Sequence, residues 1–275
     1  MNSQLAVETG LHWAAVVIYI FATLFNTAGL VFQKEKAERR GAIFVLAGLL
    51  VHSLAILYRW QASGHGPYMS RYEVMSADAW IIMATYLFCA RIYARVRPVS
   101  LLVFPAVFLM IALGLFFNPE IAKLPPTFRS IWLVLHVTFY KISLATVLIA
   151  LAFSMFYILK TRTRLEWLGR LPTLEVIDAY AYRFSGFSFI IWAIGMLAGS
   201  IWAYQSWGRF WGWDPIETWS LITWIAFGVH LHLRRFFRWQ GERAAWFFIF
   251  CFLLSITALF LVSLVQTSVH SEYFR

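Results

Sequence analysis

The sequence has 275 residues, of which 61% are hydrophobic and only 13% charged, with a mean hydropathy of +0.69. Soluble domains carry about 25% charged residues and about 45–50% apolar ones, so a soluble globule is excluded and lipid is the solvent that suits this chain. The net charge of +10 lies in short loops between apolar runs, which fits cytoplasmic membrane loops and not a nucleic-acid partner.

Cys89 and Cys251 stand alone in apolar segments. The chain lacks the C-x-x-C of a thiol–disulfide enzyme or zinc protein, and it lacks the C-x-x-C-H of a c-type cytochrome.

In chain order, apolar runs at about 11–32, 41–60, 75–93, 99–117, 131–159, 184–204, 216–236 and 245–266 each approach the ~20 residues a spanning helix needs. The expected fold is an all-α integral membrane protein of about eight transmembrane helices, forming a single polytopic domain over 1–275. The first run lacks a basic n-region and a cleavage site, so it is expected to stay as the first helix. The fifth is long enough to tilt or to project beyond the bilayer.

Basic loops alternate along the chain. The first holds Lys34, Lys36, Arg39 and Arg40; the second holds Arg91, Arg95 and Arg97. The third holds Lys160, Arg162, Arg164, Arg170 and Arg183; the fourth holds Arg234, Arg235, Arg238 and Arg243. Positive loops stay in the cytoplasm, which places both termini and the 204–216 loop outside. The start of the fifth helix with His136, that loop, and the C-terminal tail with His270 then share one membrane face.

Residues 202–224 are the most informative stretch. Trp202, Trp207, Trp211, Trp213, Trp219 and Trp224 fall within 23 residues, denser than an interfacial belt, and Gly208 and Gly212 let rings pack closely. Such a surface suits a large, flat, apolar ligand with polar edges, the shape of a porphyrin. Asp214 as N-cap, Pro215 at the first helical position and Glu217 three residues on form a capping box that starts the seventh helix.

The run WAYQSWGRFWGWDPIETWSLITW resembles the signature of the WWD-domain haem-handling proteins, and is most similar to the CcsA (ResC) branch of System II cytochrome c biogenesis. The resemblance continues through His232-Leu-Arg234, LPPTFRSIWLVLHV before the fifth helix, GHGPYMSRYE at 64–73 and the terminal HSEYF. It implies an extracytoplasmic WWD loop at about 202–224, with haem b bound as substrate against the Trp residues and with Asp214 and Glu217 organising the loop. It also implies His136 and His270 as iron ligands of an outer site and His232 as ligand of an inner one.

His232 lies roughly 27 Å along the helix from Asp214, too far to share an iron with the outer pair. The second inner histidine is expected on a partner, a CcsB (ResB)-like membrane protein. Apocytochrome c and a thiol-reducing protein are the other implied partners. The implied location is a cell inner (cytoplasmic) membrane or a thylakoid-type membrane.

The implied activity is that of a cytochrome c synthase subunit, active only with its partner, that moves haem outward and presents it to a C-x-x-C-H motif. The alternative is a HemX-like or exporter-like haem-binding protein without synthase activity. Among the other histidines, His230 is read as packing, His12 as interfacial, His65 as a structural or gating residue of an outer loop, and His52 as a substitute inner ligand. Lys141 falls near mid-bilayer, where an ammonium needs a partner or water.

Overall fold

The computed structural model describes residues 3–121 and 124–265. Eight long helices dominate: α1 (Ser3–Phe32), α2 (Glu35–Ser63), α3 (Arg71–Ile92), α4 (Ser100–Gly114), α5 (Ile131–Arg162), α6 (Leu174–Trp207), α7 (Pro215–Phe236) and α8 (Glu242–Ile256). The last continues through a π turn at Thr257–Leu261 into Val262–Val265. No strand occurs among the described residues. In lipid, helices satisfy their own backbone donors and acceptors, which explains the uniformity.

Seven of the helical segments are long and apolar enough to cross a membrane. The segment that falls short is α7, which at 22 residues has spanning length but carries Glu217, His230, His232, Arg234 and Arg235. Composition therefore supports seven spans directly, and the eighth expected one rests on helix length alone. The chain is a multi-pass membrane protein.

Several helices run past the apolar runs that announced them, α1 and α2 at their starts and α6 most of all. α5 reaches Arg162 and α6 begins at Leu174, ten residues before the expected 184. The segment LEVIDAYAYR is polar enough to read as loop, yet it forms three helical turns of a helix about 51 Å long. Arg183, assigned to a basic loop from sequence, consequently lies within α6. The basic loop itself is reduced to the short stretch between α5 and α6.

The chain divides into two compact units, Met1–Leu124 and Pro125–Arg275. In the first, α1 packs along α2 and against α4, and α3 packs against α4 and α2. In the second, α5 is the central helix, packed lengthwise on α6 and also on α8, while α7 packs against α6 and α8. From Ser143 to Ser154 every side chain of α5 is buried, as befits a helix apolar on all sides at the centre of a bundle.

The C-terminal end of α7 is tied down by a bidentate pair. Arg234 Nη1 and Nη2 donate to Asp178 Oδ1 and Oδ2 at 2.7 and 2.6 Å, and the Gly241 amide donates to Oδ1 at 3.0 Å. One carboxylate thus joins α6, the end of α7 and the turn before α8. Planar two-point pairing of this kind is geometrically exacting.

Candidate functional site

The Trp-rich loop joins α6 to α7. α6 ends where Gly208 adopts the left-handed conformation (φ 73°) and its amide donates to Tyr204 O at 2.9 Å. This is the C-cap geometry that glycine meets without a Cβ penalty. The chain re-enters helix at Asp214, whose Oδ1 accepts from the Ile216 amide at 3.0 Å.

Glu217 folds back, and its Oε2 accepts from the Gly212 amide at 2.8 Å and the Asp214 amide at 3.2 Å. The capping box forms, and Glu217 does more than box a helix: it also fixes the loop two residues upstream of the cap. Trp213, between those two amides, holds a positive φ of 55°, uncommon for a bulky side chain.

His136 stands on α5 against α6. Its Nδ1–H donates to Gly195 O at 2.8 Å, and the ring stacks on Trp202 at 6.1 Å and meets the edge of Tyr140 at 4.9 Å. Gly199 makes room for it, since a Cβ at that position would collide with the imidazole. Donation from Nδ1 selects the tautomer that leaves the Nε2 lone pair, the one a metal would take. Below it, Tyr140 OH shares a hydrogen bond with Ser220 Oγ, and Trp192 Nε1 donates to Ser220 O at 3.2 Å.

The six tryptophans do not form one surface. Trp202 is buried, donates Nε1–H to Thr127 O at 2.8 Å, and packs edge-on against Phe128 and Trp207. It belongs to the wall behind His136. Trp211 and Trp213 meet edge to face at 5.8 Å, and Trp213 is exposed. Trp211 Nε1 is buried without a hydrogen-bond partner among the described residues.

Trp224 stacks on Phe189 at 4.9 Å and is a helix-packing residue between α7 and α6. Trp219 lies one turn into α7, half-buried. The 126–130 segment, within the LPPTFRSIWLVLHV run, packs against the end of α6, a contact that sequence alone does not specify. There Thr127 O receives Trp202, and Ser130 Oγ donates to Gln205 Oε1 at 2.8 Å.

The other predicted histidines separate cleanly. His270 lies outside the described residues. His232 is exposed near the end of α7, flanked by the rings of Phe236 and Phe237. His230 is buried, stacked on Phe247 and edge-on to Phe248, which makes it a packing residue. His12 is buried in α1 and hydrogen-bonded to Ser76. His65 is buried in its loop, with Nδ1–H donating to Gly66 O at 2.8 Å. Beside it, Tyr68 has its phenol pushed up, first by burial and then by the Glu73 carboxylate, so it stays protonated. Lys141 is buried in α5.

Comparisons with known proteins bear on this geometry. The family model described as "Cytochrome C assembly protein" matches residues 68–270. "Cytochrome c biogenesis protein CcsA" of Chlamydomonas reinhardtii is 33% identical over 80% of this chain and 65% of its own length. The protein of the same name from Prochlorococcus marinus (strain MIT 9312) is 30% identical over 93% of this chain and 92% of its own. Among solved structures, "Cytochrome c Heme Lyase CcmF" aligns with a TM-score of 0.68 at 15% identity, covering 94% of this chain and 47% of that one, and shares the fold. With most of its length matched by the family model and by relatives at about 30% identity, the chain belongs to the CcsA branch of the cytochrome c assembly protein family.

Proposed function

We propose that this chain, a membrane protein of cytochrome c biogenesis, binds haem as its substrate on the extracytoplasmic side and presents it for attachment to an apocytochrome. The observation that carries this reading is His136. Its imidazole is held in one tautomer by Gly195, braced on Trp202, and given space by Gly199. That is how a neutral axial ligand to iron is prepared, with the second-shell carbonyl setting which nitrogen faces the metal.

Trp211 adds a buried N–H donor without a partner among the described residues, suited to an acceptor on the edge of a bound ligand. Trp202, Trp207, Trp213 and Trp219 line or border the same loop. Asp214 and Glu217 hold it in shape. His270, outside the described residues, would be the second iron ligand of the outer site, as the family resemblance implies.

In attachment, each cysteine thiol of a C-x-x-C-H segment adds across a haem vinyl group. Sulfur bonds one carbon and hydrogen the other, so no external oxidant is consumed. The chain's contribution is to fix the ring and the approach, which lowers the barrier by positioning.

His232 is the ligand of an inner site. Its exposure on α7 between Phe236 and Phe237 supports a second imidazole from another polypeptide, a CcsB-like membrane protein, with a thiol-reducing protein keeping the client cysteines reduced. Alternating basic loops support an orientation with both termini and the 204–216 loop outside, in a cell inner or thylakoid-type membrane. The test is the visible spectrum and maturation activity of the protein purified with its partner. His136→Ala and His270→Ala abolish the outer haem signal and cytochrome c maturation while insertion persists. Wild-type maturation in both variants refutes the assignment. Labelling of a cysteine at position 209 only from the cytoplasmic side refutes the orientation.

A further inference from the structure

The first unit carries a polar core apart from the Trp-rich loop and His136. Glu8, His12, His52, Arg59, Tyr72, Glu73 and Ser76 are each no more than 4% exposed, within helices of spanning length. Ionisable groups in such segments are costly and mark function. Here they are joined end to end. Arg59 Nε donates to Glu73 Oε1 at 2.8 Å and its Nη1 reaches Glu8 Oε2 at 3.4 Å. The Tyr72 hydroxyl lies 3.0 Å from His12 Nδ1 and within hydrogen-bonding reach of the Glu8 carboxylate.

His12 Nε2 meets Ser76 Oγ at 2.8 Å, and the same Oγ meets His52 Nε2 at 3.0 Å. One serine hydroxyl therefore bridges two imidazoles. The row then stops on orphaned atoms: His52 Nδ1 and, on the neighbouring ring 6.1 Å away, Tyr19 OH have no partner among the described residues.

The proton count allows two arrangements. In one, His12 Nδ1–H donates to Glu8 O (3.1 Å), Ser76 O–H donates to His12 Nε2, and His52 Nε2–H donates to Ser76 Oγ. His52 Nδ1 is then a bare lone pair. In the other, Tyr72 O–H donates to His12 Nδ1, His12 Nε2–H donates to Ser76 Oγ, and Ser76 O–H donates to His52 Nε2. His52 Nδ1 then carries a hydrogen. The two differ only by protons shifted one place along the row, and both neutral imidazoles stay satisfied at the serine.

We propose that His52, Ser76 and His12 form a proton relay in the first unit, with Tyr72 and Glu8 at one end and a buried water between His52 Nδ1 and Tyr19 OH at the other. An excess proton carried by that water as H3O⁺ passes to His52 Nδ1, leaving neutral water, and displaces the Nε2 proton to Ser76. Ser76 passes its own to His12 Nε2, and His12 releases its Nδ1 proton toward Tyr72 and Glu8. One proton enters and one leaves, so the row keeps its charge while passing from the first arrangement to the second, and the Glu8 carboxylate takes up the released proton as a carboxylic acid. Reversing the order returns it. A water with two polar neighbours satisfies both orphaned groups, as buried waters do.

The other buried charged and titratable groups on these helices include Glu8 and Tyr19 on α1, Arg59 on α2, and Tyr72, Glu73 and Asp78 on α3. α4 contributes none over Ser100–Gly114. Arg59 also donates to the carbonyls of Pro119 and Glu120, so the Glu8 end of the row meets the connection after α4. His52 lies two turns earlier in α2, about 10 Å from Arg59.

The test uses the full-length protein, labelled with ¹⁵N-histidine, in lipid bilayers and read by solid-state NMR. His12→Asn and His52→Asn variants assign the signals. Both rings are expected to show mixed tautomers whose populations move together, with polarisation passing from water to His52 Nδ1. Ser76→Ala breaks the correlation and Ser76→Thr restores it, while Tyr19→Phe lowers the water transfer severalfold. A single fixed tautomer on each ring of the wild-type protein overturns the relay. So does absent water transfer to His52, or a Ser76→Ala protein that behaves as wild type.

Discussion

Glu217 is the residue on which the order of the Trp loop turns. Its Oε2 accepts the Gly212 and Asp214 amides, which flank the strained Trp213. Hydrogen bonds to charged acceptors contribute about 1.5–3 kcal/mol each when buried. Glu217 is half-buried, so water replaces part of that in a variant. A value of about 1 kcal/mol per bond gives about 2 kcal/mol for Glu217→Ala, or roughly 30-fold in the local opening equilibrium. Glu217→Gln keeps a carbonyl acceptor but loses the charge at a helix N-terminus, a loss of about 1 kcal/mol and roughly fivefold.

Hydrogen–deuterium exchange reads this directly, because the two amides report their own bonds. In Glu217→Ala, exchange at Gly212 and Asp214 rises roughly 30-fold, with smaller rises in Glu217→Gln, while α5 and α6 amides stay unchanged. If both amides exchange equally in wild-type and Ala proteins, Glu217 does not hold the loop and the positioning argument fails.

Gly199→Ala drives a methyl group into the His136 imidazole and should abolish the outer haem absorbance, at an overpacking cost of about 1–3 kcal/mol seen as a lower melting temperature. An unchanged spectrum would show that His136 is not held where a ligand must be. His230→Ala should cost about 2–3 kcal/mol through the void left against Phe247 and Phe248. His232→Ala should stay within about 0.5 kcal/mol, because its ring is exposed; paired thermal melts in detergent distinguish them.

Asp178→Asn leaves the buried Arg234 without its counter-charge and should cost about 3 kcal/mol. Glu242→Gln, at the exposed Arg162 pair, should shift the same melt by less than about 1 kcal/mol. Equal effects would mean that burial does not decide the worth of these pairs.

Much was legible along the chain because the signals are local. Hydrophobic runs set where helices lie, since each must span or approach the thickness of the bilayer with its own backbone bonds closed. Asp214-Pro215-Ile216-Glu217 announced the start of α7 because a capping box needs only four consecutive residues. The Trp-rich run and its resemblance pointed to the family directly, and the family model agrees.

What sequence could not reach depended on residues far apart. The polar start of α6 is helical because Asp178, within it, pairs with Arg234 and the Gly241 amide, partners 56 and 63 residues away. The burial of His12, near the start of the first apolar run, was not legible because it depends on Ser76, 64 residues on, whose hydroxyl also meets His52. Six tryptophans looked like one surface because spacing counts rings but not directions. Whether a ring faces His136, as Trp202 does, packs between helices, as Trp224 does, or stands exposed, as Trp213 does, is set by the turn at Gly208 and the carboxylate of Glu217, which aim each side chain only once the helices have packed.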